Sequence, residues 1–144
     1  LVFFLVGDGP ELDNLKKIAF NSGVDSRLLS IGRKKNAYHY MPLFDVYVMP
    51  SLSEGFPIAL LEAVALKNKV VCSDLAIFKE AFTENEITFF ILNDIDSLTN
   101  SIHSAYKNQS KSQKAFERYL YQYTVKSMVN RYHSLFLQLV NKSM

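Results

Sequence analysis

The 144-residue sequence predicts an α/β fold, in which a parallel sheet is flanked by helices and followed by a helical C-terminal tail. Short β-branched or aromatic runs alternate with segments of helical periodicity, and this alternation is typical of parallel sheets. Near-continuous apolar runs such as LVFFLV and DVYVM indicate strands that are buried on both faces. A chain of this length forms one domain by default.

The elements follow one another in a regular order. Strands are predicted at residues 1–6, 27–31, 44–49, 69–72 and 87–91. Pro10 opens a helix with apolar residues at helical spacing, and Gly23 is its predicted C-terminal stop. From Asp94 onward the pattern is wholly helical. The aromatic residues of this tail predict a packing stripe; they are Phe116, Tyr119, Tyr121, Tyr123, Tyr132 and Phe136.

Composition and charge exclude several classes of protein. The net charge of +2 provides no basic field of the kind that nucleic-acid binding requires, so we expect no nucleic acid among the partners. Cys72 is the single cysteine, which excludes disulfide frameworks and favours a buried structural thiol in a reducing, cytoplasmic setting. His39, His103 and His133 are scattered, so no metal site is predicted.

The stretch PSLSEGFPIALLEA carries the strongest functional signal. It follows a predicted strand and begins a helix, and this is where parallel α/β sheets bind ligands and where helix amides attract an anion. Gly55 permits close approach of the backbone, and Pro57 suits the first helical turn. Glu54 and Glu62 would flank the anion and accept hydrogen bonds from hydroxyls, as a sugar nucleotide requires. Taken alone, the two residues fit equally well as a helix-start acid and a solvated helix residue.

The order of the motifs resembles one family, the retaining GT-B glycosyltransferases of the "glycosyl transferases group 1" type, or glycosyltransferase family 4. LVFFLVGDGPELDNLKKIA is similar to that family's strand, G-x-G-P turn and helix. The E-x7-E motif follows as Glu54 and Glu62 within a PS-x-x-EG-F-P context, and YTVKSMVNRYHSLF resembles the closing helix. The resemblance implies the Rossmann-like C-terminal half of a GT-B fold, with residues 1–144 as the nucleotide-sugar donor-binding domain.

The resemblance also implies roles for particular residues. Glu54, the catalytic candidate, would hold hydroxyls of the donor sugar, and Glu62 would accept from the ribose hydroxyls. The segment of Gly55, Phe56 and Pro57, with the amides of Ile58 and Ala59, would meet the sugar and diphosphate. The segment that receives the nucleobase is matched by Ile31 and Gly32, and the strand-end turn by Gly7 and Gly9. For those two glycines a tight turn is an equally good explanation, and Arg33, Lys34 and Lys35 are better explained as a solvated loop than as phosphate ligands.

The activity implied is that of a hexosyltransferase-type enzyme which retains the anomeric configuration and has no cofactor or obligatory metal. Its acceptor would be a glycan or a lipid-linked molecule, in bacterial surface polysaccharide synthesis. The implied location is the cytoplasm, at the inner face of the membrane, where the resemblance allows peripheral membrane contact.

The sequence departs from the family pattern at its start. A strand and helix that carry a diphosphate-clamping Arg and Lys, and a whole acceptor domain, precede the corresponding segment in the family. We therefore expect a domain truncated at its N-terminus, without transfer activity and with weak donor binding. In the order 3-2-1-4-5-6 the absent strand is the central one, so we expect an altered sheet. Either the first strand pairs directly with the third, or another chain fills the gap; exposed edges also predict self-association.

Two other functions remain open. A non-catalytic nucleotide-binding or regulatory module would have the same anion site, and it would bind a nucleotide sugar without turnover. A flavodoxin-like or receiver-type signalling domain would have the E-x7-E spacing by coincidence. That class requires an acidic cluster at the end of the first strand, where this sequence has only Asp8.

Overall fold

Five parallel strands form two separate sheets in the computed structural model, which describes residues 1–142. In the first sheet, β1 (Phe3–Leu5) pairs with β2 (Leu28–Ser30). In the second, β4 (Lys69–Ser73) lies between β3 (Val46–Met49) and β5 (Thr88–Phe90). Each strand lies within a predicted run or extends it by one residue, so the prediction of five parallel strands is confirmed.

The chain divides into two compact units, and the first is residues 1–39. It contains β1, helix α1 (Leu12–Asn21), a 3-10 turn at Asp25–Arg27, and β2. Gly23 has a φ of 67°, in the left-handed region that favours glycine, and follows α1 closely, which confirms it as the stop signal. Ala19 is the one buried apolar side chain described in this unit. The unit therefore has little core of its own.

The second unit begins at Tyr40 and contains most of the helices. They are α2 (Ile58–Ala65), α3 (Ala76–Ala81), α4 (Ile95–Lys107), α5 (Ser110–Gln122) and α6 (Val125–Lys142). A 3-10 segment, Ala37–Leu43, runs across the boundary between the units. The wholly helical tail predicted from Asp94 is confirmed, and Asp94 itself caps α4 by accepting a hydrogen bond from the Ser97 amide at 2.8 Å.

The core lies on both faces of the three-stranded sheet. On one face, Val70 and Cys72 of β4 pack in a cluster with residues of α2, α3 and α5, including Leu60, Phe78 and Ala115. On the other face, Val71 and Phe90 pack with Ala105 of α4. Burial on both faces explains why these strands are almost continuously apolar.

The aromatic stripe predicted for the tail is only partly a packing surface. Tyr119 and Tyr123 pack against the core, and the Tyr123 hydroxyl donates to the Ala81 carbonyl at 3.0 Å. In α6, by contrast, Tyr132 and Phe136 are more than half exposed. For these two residues, and for Tyr121 of α5, which is 75% exposed, the packing prediction is wrong within the described chain.

The expected change in the sheet concerns the partners of β1 and β3. Among the described residues, β1 pairs only with β2, and β3 pairs only with β4. Direct pairing of the first strand with the third, one of the two expected outcomes, is therefore wrong. A strand from another chain stays a prediction, as does the single domain over residues 1–144. Across residues 1–142, every helix is too short or too polar to cross a bilayer.

Candidate functional site

The loop between β3 and α2 places Glu54 at the carboxyl end of the second sheet. β3 ends at Met49, and residues 50–57 lead to the helix that begins at Ile58. Strands in parallel sheets present ligand-binding groups at this end, because the loops after the strands collect there. Glu54 itself is half-buried.

Two serines hold this loop. The Ser51 hydroxyl donates to Oε1 of Glu54 at 2.7 Å. Ser73, the last residue of β4, is fully buried, and its hydroxyl donates to the Ser51 carbonyl at 2.7 Å. The loop after β3 is thus tied to the neighbouring strand, and the carboxylate is tied to the loop.

The start of α2 differs in detail from the prediction. Pro57 is buried and lies at the N-cap, one residue before the predicted first helical turn. Its side chain cannot cap, and no side-chain hydrogen bond caps α2. The Ile58 amide donates to the Phe56 carbonyl at 2.9 Å, so in this conformation it is not available to a diphosphate as the resemblance implies. A ligand at this helix start would meet Ala59 first, or would change the turn.

Glu62 and Tyr47 add two oxygen groups beside Glu54. Glu62 is half-buried on α2, one turn after Ile58, as the helical spacing predicts. Tyr47 lies on β3, and its ring packs on the same core face as α2. Burial, and then the charges of Glu62 and Glu54, raise the pKa of Tyr47 to about 12. The phenol therefore stays protonated near two carboxylates and can donate to a polar ligand.

Open space surrounds Gly55 and Phe56. A Cβ at Gly55 would meet nothing within 4 Å, and its φ lies outside the left-handed region. Neither packing nor backbone strain within the described chain therefore explains this glycine. Phe56 is 60% exposed, with its ring centroid 6.5 Å from that of Tyr123. An exposed ring of this kind is an apolar surface on which a sugar or a base could pack.

The other predicted residues lie in the first unit, near the ends of its two paired strands. The Gly7 amide donates to the Gly32 carbonyl at 3.0 Å, and the Ile31 amide donates to the Leu5 carbonyl at 3.1 Å. Gly32 has a φ of 68°, so the backbone there requires glycine. Gly9 is exposed, and neither it nor Gly7 has a left-handed φ. A turn does begin at Gly9, since the Leu12 amide donates to its carbonyl at 3.0 Å, but neither glycine is required there by a left-handed φ.

The structural interpretations of the basic run and of the cysteine are confirmed. Arg33, Lys34 and Lys35 are exposed, as a solvated loop predicts. The three histidines are exposed on the surface. Cys72 is fully buried, and burial raises the pKa of its thiol to about 12. Within residues 1–142, no three or more His, Cys, Asp or Glu side chains form a group that could hold a metal ion.

Sequence reasoning missed Ser51, Ser73 and Tyr47. The signal for Ser51 was present, since a hydroxyl three residues before a glutamate in a loop can reach its carboxylate. Ser73 and Tyr47 had no such signal, because strand register and burial bring them to the site. The pairing of Met49 with Cys72 sets β3 against β4, and the loop after β3 then passes beside Ser73.

Comparison with known proteins adds a family and a set of relatives. The family model described as "Glycosyl transferases group 1" matches residues 1–123. An O-antigen biosynthesis glycosyltransferase, WclY of Escherichia coli, is 31% identical over 94% of this chain and 38% of its own length. An E. coli UDP-Gal:alpha-D-GlcNAc-diphosphoundecaprenol alpha-1,3-galactosyltransferase is 35% identical over 70% of this chain and 27% of its own. The chain thus spans well under half the length of these curated relatives.

A solved structure shows the same fold. The Anabaena protein Alr3699/HepE, crystallised in complex with UDP, has a TM-score of 0.82 with 17% sequence identity, over 95% of this chain and 41% of that one. The arrangement of parallel strands with helices on their faces is therefore the Rossmann-like one that the sequence predicted. At this identity the likeness supports the fold alone.

Proposed function

Because the chain belongs to the glycosyl transferases group 1 family, we propose that it is the donor-binding part of a retaining glycosyltransferase. The parent enzyme would move a sugar, as a hexosyltransferase does, from a nucleotide diphosphate sugar to a glycan or a lipid-linked acceptor. Surface polysaccharide synthesis is the proposed process, since one relative is named for O-antigen biosynthesis and another for a diphosphoundecaprenol acceptor.

The observation that carries the proposal is the pair of half-buried carboxylates beside the start of α2. Ionised carboxylates are strong acceptors for hydroxyl groups, and amides at a helix start favour an anion. A ligand with hydroxyls on either side of a diphosphate satisfies Glu54, Glu62 and the helix start together. The empty space at Gly55 leaves room for such a ligand to approach the backbone.

Each residue has a proposed role in binding the donor. Glu62 accepts from the ribose hydroxyls, and Glu54 accepts from the hydroxyls of the sugar. Gly55 and Phe56 lie against the sugar, and the Ala59 amide faces the diphosphate. The nucleobase role of Ile31 and Gly32, and a contact at Gly7 or Gly9, rest on the family resemblance only.

In the proposed reaction the bond between the anomeric carbon and the diphosphate oxygen breaks, the acceptor oxygen bonds to the same face of the sugar, and the acceptor's proton passes to the leaving diphosphate. Negative charge then builds on the leaving diphosphate. The helix start and basic side chains would stabilise that charge, which is the largest contribution that a preorganised site can make. The proposal includes no metal requirement, so transfer should be unchanged in EDTA.

The test begins with donor binding by the 144-residue chain. Titration calorimetry against a panel of UDP-, GDP- and ADP-sugars should find one preferred donor. Glu62→Ala and Glu54→Ala should each weaken its binding about 10- to 100-fold, since each removes a charge-assisted hydrogen bond. Glu80→Ala is the matched control, because Glu80 is exposed on α3 and should leave affinity unchanged.

Turnover is then measured with the polypeptide as its gene encodes it. Transfer or donor hydrolysis that is lost in the Glu54→Ala variant supports a glycosyltransferase. Donor binding without turnover supports the non-catalytic nucleotide-binding module instead. Absence of binding to every donor would return both glutamates to a structural role and refute the proposal.

A further inference from the structure

Glu54 is connected to the core by a chain of two hydrogen bonds. Ser73 is fully buried at the end of β4, and its hydroxyl holds the Ser51 carbonyl at 2.7 Å. Ser51 in turn donates its hydroxyl to Oε1 of Glu54 at 2.7 Å. Both distances have the usual value for O–H···O hydrogen bonds.

These two hydrogen bonds restrict the conformation of a glutamate that lies in a loop. A free glutamate side chain samples many rotamers. When a ligand requires one of these rotamers, its binding free energy must offset the entropy that the side chain loses. A loop segment is also less rigid than a strand. Here one carboxylate oxygen is fixed before any ligand binds, and the loop is attached to a strand in the middle of the sheet.

We propose that Ser51 is a positioning residue for the sugar of the donor, and that Ser73 fixes Ser51 in turn. This inference rests on the proposed function. The Ser51 hydroxyl donates to Oε1 of Glu54, so Oε2 is left to accept a hydrogen bond from a sugar hydroxyl. Ser51 does not touch the donor itself, and its effect passes through Glu54.

A role in positioning makes a different prediction from a role in loop stability. If Ser51 only stabilised the loop, its loss would weaken the binding of every ligand at the site. If Ser51 orients Glu54, its loss weakens the binding of the nucleotide sugar, whose hydroxyls Glu54 contacts. The binding of the free nucleoside diphosphate is then unaffected. The ratio of the two affinities is therefore the informative quantity.

The experiment measures calorimetric affinity for the preferred donor of the panel and for its free nucleoside diphosphate. Ser51→Ala should lower the affinity for the nucleotide sugar about tenfold and change the affinity for the nucleoside diphosphate less than about twofold. Ser51→Thr keeps a hydroxyl and should recover most of the affinity. Ser53→Ala is the matched control, since Ser53 is an exposed serine of the same loop.

A double-mutant cycle completes the test. In a Glu54→Ala background, Ser51→Ala should have no further effect on the nucleotide sugar, because the two residues act as one unit. Additive losses, or equal weakening of both ligands, would overturn the positioning role while donor binding by the native chain still upheld the proposed function. If the native chain bound neither ligand, the proposed function would fail, and this inference with it. Circular dichroism establishes that each variant is folded.

Discussion

Glu86 is a residue at which burial and hydrogen bonding act in opposite directions. Burial by itself would raise the pKa of this carboxyl, but hydrogen bonds from Arg118 and Thr83 outweigh it and hold the pKa below its ordinary value of 4.5. The Arg118 Nε lies 2.7 Å from Oε1, and the Thr83 amide lies 2.7 Å from Oε2. The pair joins α5 to the turn before β5, so it bears on stability and not on the candidate site.

Replacing Arg118 by methionine should lower the free energy of unfolding by about 2 kcal/mol at neutral pH, because a partly buried carboxylate then loses a charged donor. Urea denaturation measures this. Arg131→Met is the control: Arg131 is exposed and lies over the Tyr121 ring, so its loss should cost less than about 0.5 kcal/mol.

The same pair makes stability depend on pH. The folded pKa of Glu86 is below the unfolded one, so its contribution is fully present above the ordinary value of 4.5 and is lost as the pH falls through the folded pKa. The difference between the native chain and Arg118→Met should therefore shrink in acid. A difference that stayed constant from pH 7 to pH 3 would show that the ion pair is not its source.

At the residue scale, the sequence predicted those parts of the candidate site that lie close together in the chain. Glu54 and Glu62 were found because a turn and one helix fix their spacing. Ser73 and Tyr47 were not found, because they join the site through the pairing of β3 with β4. The Ile58 amide was expected to be free, and a local turn to Phe56 engages it. Sequence motifs therefore predict which side chains of a candidate site lie close together, and tertiary contacts decide which of the hydrogen-bonding groups there are already engaged.

At the scale of elements, α6 is the helix whose apolar side chains are least covered by the described chain. Its periodicity places Met128, Tyr132, Leu135, Phe136 and Leu139 on one side, and all five are about half exposed or more. A contiguous apolar face of this kind is normally covered by another surface. Sequence predicted the helix and its amphipathic character correctly, but no local pattern specifies what such a face packs against.

Self-association through α6 is the resulting prediction for the 144-residue chain. Sedimentation velocity across a range of concentrations should detect oligomers, because exposed apolar area on two copies can be buried together. Replacing Leu135 and Leu139 by glutamine should shift the chain toward monomer without changing its charge. By the same spacing Asn130 lies on the opposite side of the helix and is exposed, so Asn130→Ala serves as the control. Equal oligomerisation in the leucine variant would exclude α6 as the contact.

At the scale of the molecule, the two compact units differ in how much core they contain. The two buried clusters consist wholly of residues from Met41 onward, whereas residues 1–39 contribute Ala19 alone to the buried apolar set. A two-stranded sheet with one helix and few buried side chains is marginal in water. The three-stranded sheet, covered on both faces, has the cooperative packing that a stable unit needs.

Amide hydrogen exchange of the whole chain should therefore separate the units. Amides of β4, at the centre of its sheet, should exchange only by global unfolding, and amides of β1 and β2 should exchange by local opening that costs much less. Mass spectrometry of peptides from the two regions, across a urea series, gives both quantities. A preferred nucleotide sugar that contacts Glu54 and Glu62 should slow exchange at the start of α2. Equal protection of β2 and β4, with one shared dependence on urea, would instead mean that all 144 residues unfold as one cooperative domain, as the length of the chain predicts.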